Sequence, residues 1–200
     1  SVEVSHLAGL MAMELGVNVQ LAKRAMSDAF AMPQSKIRVI SQVVGGGFGG
    51  KEDSTFDVSV IAGVLAIKTQ RPVYYEFTRD EVFKNTGKRH PSHIHHILAA
   101  KKDGTVTGIK VEAFVDKGAY KSIDAIPSRI VQYAGGPYAI ANAYCHSVSV
   151  FTDHPYGCAF RGLGSPQAHF AMECQMDELA QRLSMDPVEL RRKNMLRDGD

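Results

Sequence analysis

The sequence predicts an α+β fold in which mixed sheets pack against helices, and three observations carry that prediction. Apolar residues recur at helical spacing in several separate segments, two alternating segments meet at an Asp-Gly pair, and two glycine-rich turns each run directly into a helical pattern. Composition agrees: 200 residues, 44% hydrophobic and 22% charged, are enough to bury a core in one domain or two small ones. Lys and Arg number 23 against 21 Asp and Glu, a net charge of +2. So even a balance provides no field for nucleic acid or an anionic membrane, and neither is expected as a partner.

Taken in order, the opening SVEVSHLAGLMAMELG reads as strand and helix material. From Val19 to Phe30, Leu21, Ala22, Ala25, Met26 and Ala29 share one helical face, and Pro33 closes the segment. Ile37, Val39, Val43 and Val44 suggest a strand leading into GGGFGG at residues 45–50. Behind it Asp53 or Ser54 caps a helix whose buried face is expected at Val58, Ile61, Ala62, Leu65 and Ala66. PVYYEF, at 72–77, reads as a strand and Arg79 to His90 as a polar turn. Residues 92–100 and 106–115 form a hairpin around Asp103-Gly104. A short helix spans Pro127 to Tyr133, HSVSVFTD is a strand, and PYGCAFRGLGSP is a second glycine-rich loop. Helices follow from Gln167 to about Leu183 and from Pro187 to Met195, the last capped by Asp186 with Pro187 at its first position. The expected division is 1–90, holding the first glycine loop, and 91–200, holding the hairpin, the second loop and the last helices.

The two glycine loops echo each other. Phe48 precedes Pro72 by 24 residues and Leu163 precedes Pro187 by 24, each interval holding a glycine turn, a helix and a short exit loop. In GGGFGGK, consecutive amides shielded only by hydrogen lie just before a helix N-terminus, a nest suited to an anion or to a cofactor's phosphate and oxo groups. The Walker frame fails because Glu52 follows Gly50-Lys51, and the dinucleotide frame lacks its acidic ribose partner. A tight turn needing glycine only for close packing satisfies the same residues.

Other polar residues have similarly divided readings. Glu52 and Asp53 serve a helix start as caps or as site carboxylates. Arg161 clamps an anion or braces its loop, and Arg129 in IPSRIVQYAGG reads a substrate or forms a salt bridge. His93 and His95 share a strand face, but no carboxylate accompanies them at useful spacing, so a metal site is not expected. Cys145, Cys158 and Cys174, spaced 13 and 16 residues apart, make neither a disulfide framework nor a zinc or iron–sulfur motif. Buried thiols in a reducing cytoplasm are expected. No apolar run reaches membrane-spanning length and no leader pattern opens the chain. Without an initiator methionine, it is expected to be an internal piece of a longer polypeptide.

Four separated motifs resemble the molybdopterin-binding subunit of the molybdenum hydroxylases, the xanthine dehydrogenase and aldehyde oxidoreductase family. They are KIRVISQVVGGGFGGKE at 36–52, RPVYYEFTRDE at 71–81 with the following GKRHP, AFRGLGSPQ at 159–167, and MDELAQRLSMDPVELRRKN at 176–194. The resemblance implies that Gly47, Phe48 and Gly49, with Ala159, Phe160, Arg161 and Gly162, contact molybdopterin, alone or as a dinucleotide. Phe48 and Arg161 would approach the molybdenum through the backbone, with no side-chain ligand. Glu52, Arg129 and Leu163 correspond to substrate neighbours. The Glu52–Arg129 pair points to an N-heterocycle such as a purine, hydroxylated with oxygen from water. Leu163 departs from the family's phenylalanine and gives up an aromatic pair contribution of about 0.5–1.5 kcal/mol. Val17 falls, by ungapped count, where the family has a glutamine, with Gln20 nearby.

The resemblance also implies what lies elsewhere. The general-base glutamate is expected beyond residue 200, and [2Fe-2S] clusters and FAD on other domains or subunits, so the chain is not expected to turn over alone. A branch acting on aldehydes, aromatic acids or thioesters shares the same loops, as does a cofactor-binding scaffold without turnover.

Overall fold

A computed structural model describes residues 19–40, 45–51, 54–121 and 125–199, omitting the side chains of residues 19, 21 and 54–56. The expectations for the opening sixteen residues, Val17, Leu21's side chain, Val43, Val44, Glu52 and Asp53 lie outside the described residues. The fold is α+β. The chain forms two compact units, one of residues 1–89 with 155–161 and the other of 90–154 with 162–200. Among the described residues no helix is long and apolar enough to cross a membrane.

In the first unit, α1 (Val19–Phe30) packs on α2 (Ser54–Thr69), with a short 3-10 helix at Gln34–Lys36. Ala22, Met26, Ile37 and Val39 form a small core edged by Phe30 and Met32. Gly63 lies where the Phe30 ring fills the space a Cβ would take, so a glycine inside α2 is the condition for this helix contact. Two expectations change here. Val58, Ala62 and Ala66 are buried, but Ile61 and Leu65 are exposed, because α1 covers only one row of a helix that is apolar on several sides. Residues 72–77 form no strand, since no strand among the described residues pairs with them.

The polar stretch expected to be a turn contains α3 (Arg79–Asn85). A capping box starts it: Thr78 Oγ1 accepts from the Glu81 amide, and Glu81 Oε2 accepts from the Thr78 amide. The Lys88 ammonium donates to the Val82 and Thr86 carbonyls at its other end. Burial lowers that group's pKa.

In the second unit, β1 (Ser92–Ala100) and β2 (Val106–Gly118) make the expected antiparallel hairpin, and β3 (Asn142–Phe151) joins β2 in parallel, giving the order β1-β2-β3. The crossover to β3 carries α4 (Ile126–Tyr133); α5 (Ser165–Leu183) and α6 (Pro187–Asn194) follow. Val106, Ile109 and Val111 of β2 bury against Met172, Met176 and Ala180 of α5 and Leu190 of α6. Further along β2, Ala113 and Val115 meet Ile126, Ile130 and Ala168.

Polar links lock this unit. Asn194 is buried; its Oδ1 accepts from the Val106 amide and its Nδ2 donates to the Gly104 and Leu190 carbonyls, tying α6 to the hairpin turn. Arg191 reaches Glu173 at 2.7 Å and Asp177 at 2.8 Å. Glu173 also accepts from the Tyr138 hydroxyl, and burial with that carboxylate pushes the phenol up to about 12. Asp186 caps α6 by accepting from the Val188 and Glu189 amides, as the sequence predicts.

Candidate functional site

The first unit brings together two segments far apart in sequence. Residues 47–50 form a tight turn closed by the Gly50 amide on the Gly47 carbonyl at 3.1 Å. Phe48 takes φ 48° and Gly49 φ 83°. A Cβ on Gly49 would lie 2.8 Å from the Ala159 carbonyl, so the main chains of the two loops touch there and only glycine fits. Cys158, a buried thiol, sits beside the Gly49 carbonyl at 3.8 Å.

Gly45 and Gly47 behave differently. A Cβ on either would meet nothing within 4 Å among the described residues, and Gly47 does not have a positive φ. Packing among the described residues explains Gly49 and gives no reason for glycine at 45 and 47. Their backbone is open to an approaching group.

The second loop enters this unit as residues 155–161. Lys88 and Gly157 form a parallel bridge, with the Lys88 amide donating to the Tyr156 carbonyl and the Cys158 amide to the Lys88 carbonyl. Arg161 lies over the Phe48 ring at 5.4 Å, and Arg89 over Phe160 at 4.8 Å. Phe48 is 63% exposed and Phe160 46%, so each ring keeps an open part beside the cation that stacks on it.

In the second unit the loop continues through Gly162, Leu163 and Gly164 into α5. Leu163 takes φ 41° and packs, half-buried, against the Ile126–Ile130–Ala168 cluster. Gly164 takes φ 89°, and a Cβ there would lie 2.9 Å from the Ile126 carbonyl and 3.1 Å from the Arg129 Cβ. Arg129 and Leu163 are thereby held near one another across α4 and the start of α5. The Arg129 guanidinium donates to Gln132 Oε1 at 2.8 Å. No carboxylate pairs with it among the described residues, which exclude Glu52, Asp53 and Asp124.

The histidine strand yields another correction. The register puts Glu112 directly opposite His95, with Nδ1 and Oε2 3.6 Å apart, although spacing along the chain shows no accompanying carboxylate. Lys110 holds the other carboxylate oxygen, and among the described residues no three His, Cys, Asp or Glu side chains converge on a metal position. Arg89 was also missed, because its partner is 72 residues away.

Residues 10–195 match the family described as molybdopterin cofactor-binding domain. The chain is 40% identical over 167 residues to the nicotinate dehydrogenase large molybdopterin subunit of Eubacterium barkeri, covering 83% of this chain and 39% of that protein. It is 38% identical over 176 residues to a probable xanthine dehydrogenase subunit of Bacillus subtilis (strain 168), covering 88% and 23%. The solved aldehyde oxidoreductase from Desulfovibrio desulfuricans ATCC 27774 superposes with a TM-score of 0.80 at 32% identity, over 94% of this chain and 20% of that one. The chain thus spans well under half the length of each.

Proposed function

The chain belongs to the molybdopterin-binding subunits of the molybdenum hydroxylase and aldehyde oxidoreductase superfamily, and from that membership we propose that its two glycine loops hold the molybdenum cofactor of a larger oxidoreductase. The observation that carries the reading is the contrast within 45–50: Gly49 is glycine for the chain's own packing, whereas among the described residues nothing lies within 4 Å of a Cβ placed on Gly45 or Gly47, which leaves backbone for a bulky ligand to reach. The residues fit such a group. Backbone at Gly47, Phe48 and Gly49 and at Ala159, Phe160, Arg161 and Gly162 would hold it, with Phe48 and Arg161 nearest the metal. When bound, molybdopterin with molybdenum supplies the transfer of a water-derived oxygen to an electron-poor carbon and accepts two electrons. The chain's own contribution is to fix the loops, present amides and exclude water with the Phe48 and Phe160 rings.

In the complete enzyme, Gly47→Asp should abolish molybdenum loading, because the side chain and its charge enter the open space, while the fold is kept. Normal molybdenum content measured by plasma mass spectrometry would remove the proposed contact.

The same reading places the general base, the [2Fe-2S] clusters and FAD in the rest of the assembly, with 1–90 and 91–200 as portions of one larger cofactor-binding region. Of the three cysteines, none of them in a disulfide, Cys158 is buried, Cys145 half-buried and Cys174 exposed, so the expectation of buried thiols holds at Cys158 alone; a reducing, cytoplasmic setting is part of the same proposal.

For the substrate, the family's range weighs against singling out a purine: relatives of similar identity are named for nicotinate, xanthine and aldehyde. Arg129 favours a substrate bearing a carboxylate or ring oxygen, since its guanidinium meets only a neutral amide among the described residues. Glu52 is its proposed polar counterpart and Leu163 an apolar neighbour of the ring. Arg129→Met should then lower kcat/KM for nicotinate roughly ten- to a hundredfold, for hypoxanthine less, and for benzaldehyde least. Equal losses for all three at unchanged molybdenum content would defeat the substrate-reading role.

A further inference from the structure

Arg89 lies outside both glycine loops in the sequence, yet its guanidinium ends on the second one. Nη2 donates to the Arg161 carbonyl at 2.6 Å, and the guanidinium carbon lies 4.8 Å from the Phe160 ring centroid. Its chain neighbours hold the same loop from the other end. Lys88 makes two backbone hydrogen bonds, to Tyr156 and Cys158, and Gly87 leaves room for the Cys158 side chain, which fills the space of a Cβ. Three consecutive residues therefore grip the loop at Tyr156, Cys158 and Arg161.

The grip at Arg161 differs from the other two. Tyr156 and Cys158 are fixed by backbone pairing with Lys88, whereas the Arg161 carbonyl, at the start of the turn over 161–164, is held by a side chain. The hydrogen bond from Arg89 tethers the main chain there at the Arg161 carbonyl. Neither Arg89 nor Arg161 meets a carboxylate among the described residues, so the Arg89 charge acts on a carbonyl and a ring and is not committed to an ion pair. A planar guanidinium can donate in its own plane while presenting its face to Phe160, which a lysine ammonium cannot reproduce in full. The effect passes onward because Arg161, once its carbonyl is fixed, extends its own guanidinium over Phe48 in the first loop.

We propose that Arg89 is a positioning residue for the second glycine loop: it sets the course of Ala159–Arg161 and, through Arg161, the stack on Phe48. Its relevance to the cofactor rests on the function proposed above, while its action on the loop does not. Arg89 acts through Arg161 and Phe160 and is assigned no direct contact with the cofactor.

The test uses the complete molybdenum subunit with its partner subunits, carrying Arg89→Met, Arg89→Lys or Phe160→Leu. In the cofactor-free form, hydrogen exchange at the Cys158 amide, which donates to the Lys88 carbonyl, and iodoacetamide labelling of the Cys158 thiol are followed by peptide mass spectrometry. Cys158 is 2% exposed and immediately precedes the tethered stretch, so its labelling reports loosening there. Arg89→Met should raise both rates roughly tenfold or more. Arg89→Lys should recover part of the protection because its ammonium still donates to the carbonyl, Phe160→Leu should give a smaller rise, and β1 and β2 amides should not change. Molybdenum content of enzyme produced with the metal should fall in the order wild type, Arg89→Lys, Arg89→Met. A loosened loop at full molybdenum content would keep Arg89 as the positioning residue and overturn instead the cofactor role of this loop. Unchanged exchange and labelling in Arg89→Met overturn the proposal whatever the molybdenum content. Should that variant not accumulate folded, wild-type rates in both Arg89→Lys and Phe160→Leu overturn it equally.

Discussion

Phe48-Gly49 and Leu163-Gly164 use the same backbone device for opposite ends. Each pairs a non-glycine residue at positive φ, 48° and 41°, with a glycine at 83° and 89°. Each opens a long helix, and each helix is followed by another residue at positive φ, Gln70 at 54° or Ser184 at 52°, shortly before Pro72 or Pro187. The repeated spacing in the sequence thus carries positive-φ residues at both ends of each interval, although the helix begins six residues after Phe48 and two after Leu163. The surroundings differ: Leu163 packs into its own unit and Gly164 closes on α4, whereas Phe48 stands exposed beside the open Gly45 and Gly47. A left-handed pair can therefore complete a core or hold an exposed aromatic residue, and the neighbouring glycines separate the two surroundings.

The largest effect should come from closing the tight glycines. Gly49→Ala and Gly164→Ala each force a Cβ to within 3 Å of a backbone oxygen at positive φ, and each should cost about 2–4 kcal/mol in urea unfolding of the complete subunit. Gly47→Ala meets no neighbour and should change stability by less than about 1 kcal/mol. Equal destabilisation at 47 and 49 would erase the distinction between packed and open glycines.

A smaller difference should separate the side chains. Leu163→Phe adds volume against a packed cluster and should cost about 1–3 kcal/mol. Phe48→Leu removes an exposed ring and its contact with Arg161, costing about 0.5–1 kcal/mol. Thermal unfolding of both variants sharpens the comparison; a larger loss at Phe48 would place it in a core.

The smallest effect is the pH dependence at the loop's entry. Asp116 accepts from Thr152 Oγ1, the Gly118 amide and the His154 ring, just before Pro155. Burial raises the Asp116 carboxyl, but these hydrogen bonds outweigh it and its pKa falls below the ordinary value. The Asp116 hydrogen bond and charge, with a lesser contribution from Asp153, raise His154 above its ordinary 6.5. The histidine's contribution to stability is therefore complete below pH 6.5 and fades as pH rises through its raised folded value. Urea midpoints of wild type and His154→Gln should converge across that interval. A gap that stays constant would show that the pair is held without charge.

Much of this was legible along the chain. Asp103-Gly104 specifies the hairpin because Gly104 must take φ 85°, and Asp186-Pro187 specifies the start of α6 through a cap. The capping box Thr78-x-x-Glu81 also announces α3, although the surrounding charges suggest a turn. PVYYEF misleads because strand propensity describes a pleated surface and cannot provide a pairing partner. Glu112 opposite His95 is invisible in linear spacing, since register across strands decides it.

By itself the sequence determined the helices, the hairpin, the order of the glycine motifs and the family they resemble, because caps, turns and apolar periods act within a few residues. Only the tertiary structure decided that Gly49 lies against Ala159, that Gly47 stays open, and that Arg89 tethers Arg161. Those contacts join residues some 70 to 110 positions apart. They depend on backbone pairing at Lys88 and on which atoms occupy the space beyond each Cα, quantities fixed by the folded chain and carried by no local pattern.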